Sequence, residues 1–500
     1  MKYVQGAALV GVEGVAVEVE VLISSLLPKV DIVGLPEAAV RESAARVRAA
    51  ISALGLTFPT RRVTVNLAPA GLRKSGAGLD LPIAVGVLAA DEKVPFEALR
   101  GRAFLAELAL DGRLRPVRGA LAMALAARDA GCEEIVVCER NGPEAALAPG
   151  IRAVGAGSLA AVLAHLHGGE QLAEARPPER GSSDPAPPCL SEVRGQEVAK
   201  RALEIAAGGG HGLLLFGPPG SGKTMLARRL PGLLPPLNVE ESLDVARILS
   251  AAGRLDGDRP LLCERPFRAP HHTASPAGLL GGGNPPRPGE ISLAHRGILF
   301  MDEFPEFERR ALESLRQILE ERRVSIARAG VSCVFPADFQ LVAASNPCPC
   351  GWFRSQRRDC RCDDATVARY RRRISGPLLD RIDLQVFVSA VPWRDLESPA
   401  DGPTSSVVRE RVRFARARQE RRGVACNAEI HDRDLDHHAA LDTRSKELLG
   451  RAVDRLGLSA RGARRVLRVA RTIADLAAEE RISPSAIAEA LSYRRESIDS

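Results

Sequence analysis

The stretch that most restricts the fold is 213–224, Leu-Leu-Leu-Phe-Gly-Pro-Pro-Gly-Ser-Gly-Lys-Thr. An apolar run of strand length leads into a glycine-rich turn, and a helix is expected to start near Lys223. Gly217, Gly222, Lys223 and Thr224 fit the spacing G-x-x-x-x-G-K-[ST], with Pro218, Pro219, Gly220 and Ser221 completing the loop. Glycines let backbone N–H groups close around phosphate oxygens where a side chain would block them. Lys223 supplies a cation for the β- and γ-phosphates and Thr224 a hydroxyl for Mg²⁺, while the helix points its positive end at the same anion. The pattern therefore predicts a nucleoside triphosphate, ATP, with Mg²⁺.

Two further apolar runs end in polar groups. Ile298-Leu299-Phe300-Met301 is followed by Asp302 and Glu303, and Phe339–Ala344 is followed by Ser345 and Asn346. Asp302 is expected to hold Mg²⁺ together with Thr224, and Glu303 to orient and deprotonate the attacking water. The Asn346 amide is placed to contact the γ-phosphate or that water. Three strands ending in such groups predict a parallel α/β sheet with its ligand at the strand C-termini.

Composition narrows the setting. No run of 18 apolar residues occurs, so no membrane span is expected, and Val15, Val17, Val19 and Val21 alternate with Ala16, Glu18 and Glu20 as a strand rather than a signal peptide. The ten cysteines are scattered apart from one cluster, which favours reduced thiols in the cytoplasm. The net charge of +7 comes from a chain with only seven lysines, so arginine dominates; this permits a nucleic-acid partner without requiring one.

The chain divides into residues 1–167, a Pro/Ser-rich linker at 168–190, a nucleotide-binding unit at 191–395 and an all-helical segment at 396–500. The first unit is expected to be α+β, with strands at 15–23, 30–33, 62–67, 103–109 and 134–138 and helices such as 36–54 and 117–130. The linker composition suggests that this unit moves relative to the rest. Its segment 69–83 resembles the serine-bearing segment of Lon-type proteases, a ribosomal-S5-domain-2-like scaffold. The loop here is Gly76-Ala77-Gly78 with Ser75 before it, and Lys93 is the only downstream lysine of the unit. A non-proteolytic module on that scaffold is the preferred reading.

In the last segment Val408, Val412 and Ala415 share a face, and Arg409, Arg413 and Arg416 form a stripe expected to be solvated. Ser483-Pro484 is a helix start.

The order of motifs resembles the magnesium-chelatase-like AAA+ ATPases and, within them, the competence-protein ComM (YifB-type) family. The similarity rests on Gly195–Ala206, the phosphate loop, Arg265–Ser275, Gly281–Asn284, Pro288–His295, Asn346–Gly351 and Ile374–Asp383, and extends to both ends of the chain. The resemblance implies an AAA+ core with a C-terminal helical lid. Asn346 would be sensor 1 and Arg381 an arginine finger reaching a neighbouring subunit, which requires a homo-oligomer, by family pattern a hexameric ring. A local pairing of Arg381 with Asp380 or Asp383 is the other reading. For sensor 2, closing on the phosphates from the lid, the choice is Arg461 with Arg464 as the fallback. The insert at 274–290 and the hairpin pattern at 324–336 are similar to elements of replicative and branch-migrating helicases; Arg328 stands where minichromosome-maintenance helicases carry a basic channel tip. Such a tip would grip DNA phosphates without reading bases.

The features together point to an ATP-driven ring acting on single-stranded or branched DNA, and the family resemblance implies a helicase or branch-migration factor in natural transformation or recombination. The rival is a magnesium-chelatase-type motor that remodels a protein partner. Cys348, Cys350, Cys360 and Cys362 fall within fifteen residues as Cys-x-Cys twice, either a tetrahedral Zn²⁺ site or four reduced thiols. His271 and His272, between Pro270 and Thr273, fit packing or hydrogen bonding better than metal ligation.

Overall fold

The structure, a computed structural model, describes residues 2–74, 76–177, 187–255, 263–328, 331–355, 358–392, 397 and 402–495. Its centre is a five-stranded sheet in the order Phe267–Arg268, Ile298–Met301, Gln340–Ser345, Leu213–Phe216, Leu384–Phe387. Every neighbouring pair is parallel. Leu213–Leu215 and Ile298–Met301 are buried whichever way their side chains point, which explains why their sequences run apolar without alternation. Helix Glu197–Gly209 covers one face through Ala199, Ala202, Leu203 and Ile205; helix Arg309–Glu321 covers the other through Ala311, Leu312, Leu315 and Ile318.

The N-terminal unit is built on a seven-stranded mixed sheet. Its strand Glu13–Ser24 alternates as the sequence predicts, and pairs antiparallel with both Val4–Val10 and Arg62–Ala68. Val4–Val10 carries no clear alternation and is not signalled in the sequence. The predicted helix 36–54 is two segments, Ala38–Arg41 and Ser43–Ala53, and the predicted strand 103–109 is also two, Arg102–Leu105 and Glu107–Leu108. Both breaks face Asp80, at the start of the buried helix Asp80–Ala90. The carboxylate accepts from Ser43 Oγ, from the Arg46 guanidinium and from the Leu108 N–H at 3.1 Å.

Beside the Gly76–Gly78 loop, fully buried Lys74 donates to the carbonyls of Gly34 (3.0 Å), Leu67 (2.9 Å) and Pro69. Lys93 donates to Thr57 O and pairs with Asp91. Ser75 lies outside the described residues.

This unit rests against the nucleotide-binding unit. Helix Val239–Ala252, capped by a reciprocal Asn238–Glu241 box, contributes Ala246 and Leu243 to the N-terminal unit's apolar cluster. Val12, at the turn between the first two strands, packs in turn into the cluster holding Cys333 and Phe335. Between the units Glu144 accepts from Ser250 Oγ and from the Leu121 N–H; burial pushes its carboxyl pKa up, against those hydrogen bonds. Of the linker that joins the two units, residues 178–186 lie outside the described residues.

Beyond residue 402 the described chain is helical, with Ser405–Arg421, Asp432–His438, Thr443–Leu456, Ala460–Leu476 and Pro484–Arg495. Val408 and Val412 pack with Ala202 and Val469 in one cluster. The arginine stripe of the first helix is not simply solvated. Arg409 donates to Gly232 O and Arg416 to Ala207 O, so two of its cations tie this helix to carbonyls of the nucleotide-binding unit, while Arg413 remains exposed. Among the described residues no helix is long and apolar enough to cross a membrane.

Candidate nucleotide site

The phosphate loop runs from the C-terminal end of Leu213–Phe216 into the helix Lys223–Ala227. Its first glycine is required by crowding: a Cβ on Gly217 would sit 2.2 Å from Val388 O. Gly222, at φ +92°, needs the left-handed region that lets the loop turn into the helix. The Gly217 N–H donates to Ser345 O at 3.1 Å, which ties the loop to the strand ending beside Asn346. From the other side Gln196 Nε2 donates to Ser221 O (3.3 Å) and Ser389 O (2.6 Å).

Lys223 Nζ donates to Gly217 O (2.8 Å), Pro218 O (2.9 Å) and Asn346 Oδ1 (3.2 Å). Burial pushes its pKa down to about 8, with Asp302 acting in the opposite direction. Among the described residues Lys223 is held by neutral oxygens alone, which leaves the cation poised for an anion, and the buried Ser221 Oγ has no hydrogen-bond partner. Thr224 Oγ1 donates to Asp302 Oδ2 at 2.7 Å, and Asp302 Oδ1 accepts the Glu303 N–H. A hydroxyl and a carboxylate oxygen in contact are a donor set that suits Mg²⁺. Lys223, Thr224, Asp302 and Asn346 thus meet at the C-terminal ends of three adjacent strands.

Glu303 adopts φ +52° and is half exposed. Its Oε2 lies 2.8 Å from His272 Nδ1, while His271 Nδ1 contacts Thr273 Oγ1 at 2.8 Å. Adjacent histidines gave the hydrogen-bonding reading but no hint of the partner, which lies in the turn just after the neighbouring strand Ile298–Met301.

Arg381 lies at the opposite end of the sheet. It precedes Asp383, whose N–H donates to Gly212 O, one residue before the strand that feeds the phosphate loop. Its partner is neither Asp380 nor Asp383: Nη2 donates to Glu320 Oε1 (2.7 Å), Nη1 to Pro377 O, and its buried Nε has no hydrogen-bond partner among the described residues. Asp383 is instead ligated by Arg465 (2.5 Å), the Gly212 N–H and His211 Nδ1. Burial opposes its ionisation, but Arg465 and His211 outweigh it and hold the carboxyl well below the usual range.

Arg461, expected to close on the phosphates from the lid, does not lie over the phosphate loop of the same chain. Arg461 reaches the same Glu320 as Arg381, at 3.6 Å, so the length of strand Leu213–Phe216 separates it from Lys223. The reason is the path of helix Ala460–Leu476, whose Arg465 is fastened to Arg381 O and Asp383. Arg464 turns away to Asp432 O. Arg465 was not singled out in the sequence, and Asp383 entered only as a candidate partner of Arg381; nothing there separates the two from neighbouring charges.

The hairpin forms between Arg323–Arg328 and Val331–Pro336, with Arg328 paired to Val331 beside the turn; Ala329 and Gly330 lie outside the described residues. The insert at 274–290 holds a short helix, Pro276–Leu280, and a two-stranded bridge between Gly281–Gly282 and Arg287–Pro288. The four clustered cysteines converge, with all four sulfurs within 4.8 Å of one another.

Three family profiles cover most of the chain. "Magnesium chelatase, subunit ChlI" matches residues 189–396, "Subunit ChlI of Mg-chelatase" residues 19–141, and "Magnesium chelatase, subunit ChlI C-terminal" residues 402–494. The competence protein ComM of Haemophilus influenzae is 43% identical over 98% of this chain and 97% of its own length. The Salmonella typhimurium protein YifB is 44% identical over 97% of this chain and 96% of its own. The magnesium-chelatase 67 kDa subunit of Chlorobaculum tepidum is 29% identical over 32% of this chain and 23% of its own.

Proposed function

Since the chain belongs to the magnesium-chelatase-like AAA+ family of ComM and YifB, we propose that it is an ATP-hydrolysing ring motor that works on DNA in the cytoplasm. One observation carries the reading: the parallel sheet ends in phosphate-ready groups on one side and in Arg381 on the other. A chain built this way completes its site only by stacking head to tail on copies of itself, and a closed ring, by family pattern a hexamer, satisfies every copy.

In the assembled site the loop N–H groups and Lys223 hold the β- and γ-phosphates. Bound Mg²⁺, held through Thr224 and Asp302, would neutralise charge on the phosphate oxygens. Glu303 takes the proton of the attacking water, and His272 holds that carboxylate before substrate arrives. Asn346 orients the water or the γ-phosphate. Arg381 leaves Glu320 to stabilise transition-state charge on the neighbour's γ-phosphate, a role worth on the order of 10³–10⁵ in rate. Arg461, on Arg381's side of the sheet, acts in the same direction, toward the neighbour. The helices after residue 402 serve as the lid.

The hairpin with Arg328 beside its turn, and the near full-length similarity to a protein named for competence, favour DNA over a metal-chelatase complex as the substrate. Branch migration during recombination or transformation is the role this implies. The test is the rate of phosphate release alone, with single-stranded DNA and with forked DNA. The expected outcome is stimulation by DNA, and an Arg328→Ala variant should lose that stimulation more than the basal rate. A flat response to every DNA would move the reading to remodelling of a protein partner.

A further inference from the structure

We propose that Cys348, Cys350, Cys360 and Cys362 bind one Zn²⁺, and that this metal-tied loop braces Asn346 and the phosphate loop. The bracing half rests on the ATPase reading; the metal half does not. The sulfur geometry is the first support. Cys348 and Cys350 sulfurs are 3.4 Å apart, Cys348 and Cys360 3.7 Å, and Cys350 and Cys360 3.6 Å. A tetrahedron with Zn–S bonds of about 2.3 Å has edges of about 3.8 Å, so these three sulfurs already outline one face, with the Cys362 sulfur within 4.8 Å of them. Each pair is far beyond the roughly 2.05 Å of a disulfide. The Phe353 and Cys362 N–H groups donate to the Cys348 and Cys360 sulfurs, as hydrogen bonds to thiolate ligands do.

The loop also needs a staple. Among the described residues, 347–363 contain neither helix nor strand, and few of their side chains are buried. A compact irregular segment of this length has little apolar burial to offset its ordering entropy, and a structural metal supplies what the core does not. Four thiolates around Zn²⁺ leave a net double negative charge. Arginines flank it: Arg358 stacks on Trp352, and Arg354 and Arg371 on Phe353.

The position of the loop gives it a task. It leaves the central sheet at Asn346 and returns through helix Asp364–Arg371, whose Tyr370 hydroxyl bonds the Ser345 side chain. The turn Cys348–Gly351 is closed by Gly351 N–H to Cys348 O at 2.9 Å. Its Gly351, at φ +82°, lies so close to the phosphate loop that a Cβ there would meet Pro219 Cγ at 2.5 Å. The metal therefore fixes a strut between the sensor asparagine and the loop roof, where a misplacement of about 1 Å costs on the order of 10²-fold in rate.

The test uses the full chain purified without chelators. Elemental analysis should find stoichiometric zinc. Cys360→Ser and Cys362→Ser should lose it, and Cys362→His, which restores a ligand, should keep it. The serine variants should be cleaved by protease between 347 and 363 and hydrolyse ATP tenfold to a hundredfold more slowly. Gly351→Ala should keep its zinc and still turn over slowly, because it disturbs the strut without touching a ligand. Wild-type protein that lacks zinc and takes up none when Zn²⁺ is added, or that carries iron instead, overturns the metal assignment. Zinc-free variants that hydrolyse ATP at the wild-type rate overturn the bracing. Wild-type protein that binds zinc but never hydrolyses ATP overturns the ATPase reading, and the bracing with it, while leaving the metal site standing.

Discussion

At the C-terminal ends of the central strands, Lys223 is held by two backbone carbonyls and an amide oxygen, all neutral. At the N-terminal ends, Arg381 and Arg461 share Glu320, and Arg465 is paired with buried Asp383. The first arrangement loses little when an anion arrives, because neutral acceptors give up a cation cheaply and the phosphate restores what burial took from it. The second is already neutralised. To serve a neighbour's phosphate, as proposed, Arg381 must exchange one carboxylate for another anion. Arg465 and Asp383 have a different task at that end: they fix the last helices to the sheet and are not free to exchange.

The largest expected effect falls on the first end. Lys223→Ala should reduce phosphate release by on the order of 10³-fold or more, since the cation acts on charge that develops in the transition state. Retained hydrolysis would remove the site from this loop. Arg381→Ala should reduce turnover by about 10³-fold while nucleotide affinity, measured with a fluorescent analogue, changes little. Equal losses in binding and turnover would place Arg381 in its own chain's pocket and erase the contrast between the ends.

Asp383→Asn should act on stability rather than chemistry. It leaves Arg465 and His211 facing a neutral amide in a buried site, at a cost of about 3 kcal/mol, read as a lowered denaturant midpoint. Because the Asp383 carboxyl is held below its usual range, its contribution is present above the ordinary aspartate pKa and fades as pH falls toward the lowered value.

The smallest effect is in pH dependence. With Lys223 at about 8 before nucleotide binds, instead of its ordinary 10.5, the ammonium is already present below pH 8. Above that, binding has to take up a proton, so affinity should fall by up to about tenfold per pH unit. A profile flat between pH 7 and 9.5 would mean that Lys223 is better solvated than its carbonyl cage implies.

How much of this was legible beforehand differs between the two ends in the same way. The phosphate-binding groups follow strands whose apolar runs are visible in the sequence, and Gly217, Gly222 and Lys223 have a spacing that few other structures require. The opposite end consists of arginines and carboxylates in a chain full of both. The partnership of Arg381 with Glu320 depends on how two segments about sixty residues apart meet, that of Arg465 with Asp383 on how a helix from the last hundred residues crosses a sheet from the middle, and no local periodicity encodes either. The side of the sheet on which Arg461 stands could not be read for the same reason. His272 was visible as part of a histidine pair, but its contact with Glu303 arises only because Phe267–Arg268 lies beside Ile298–Met301. In the N-terminal unit the alternating strand Glu13–Ser24 was plain, whereas the helix Asp80–Ala90 is buried all round and shows no amphipathic period.

The central claim, that each site is shared between two copies of the chain, is tested most directly by mixing. Lys223→Ala and Arg381→Ala chains, each inactive alone, are combined at varied ratios and phosphate release is measured. Shared sites predict that activity reappears in the mixture and is greatest near equal amounts, because some interfaces then join an intact Lys223 to an intact Arg381. A mixture as inactive as its components, under conditions where the two chains are shown to co-assemble, would contradict the account.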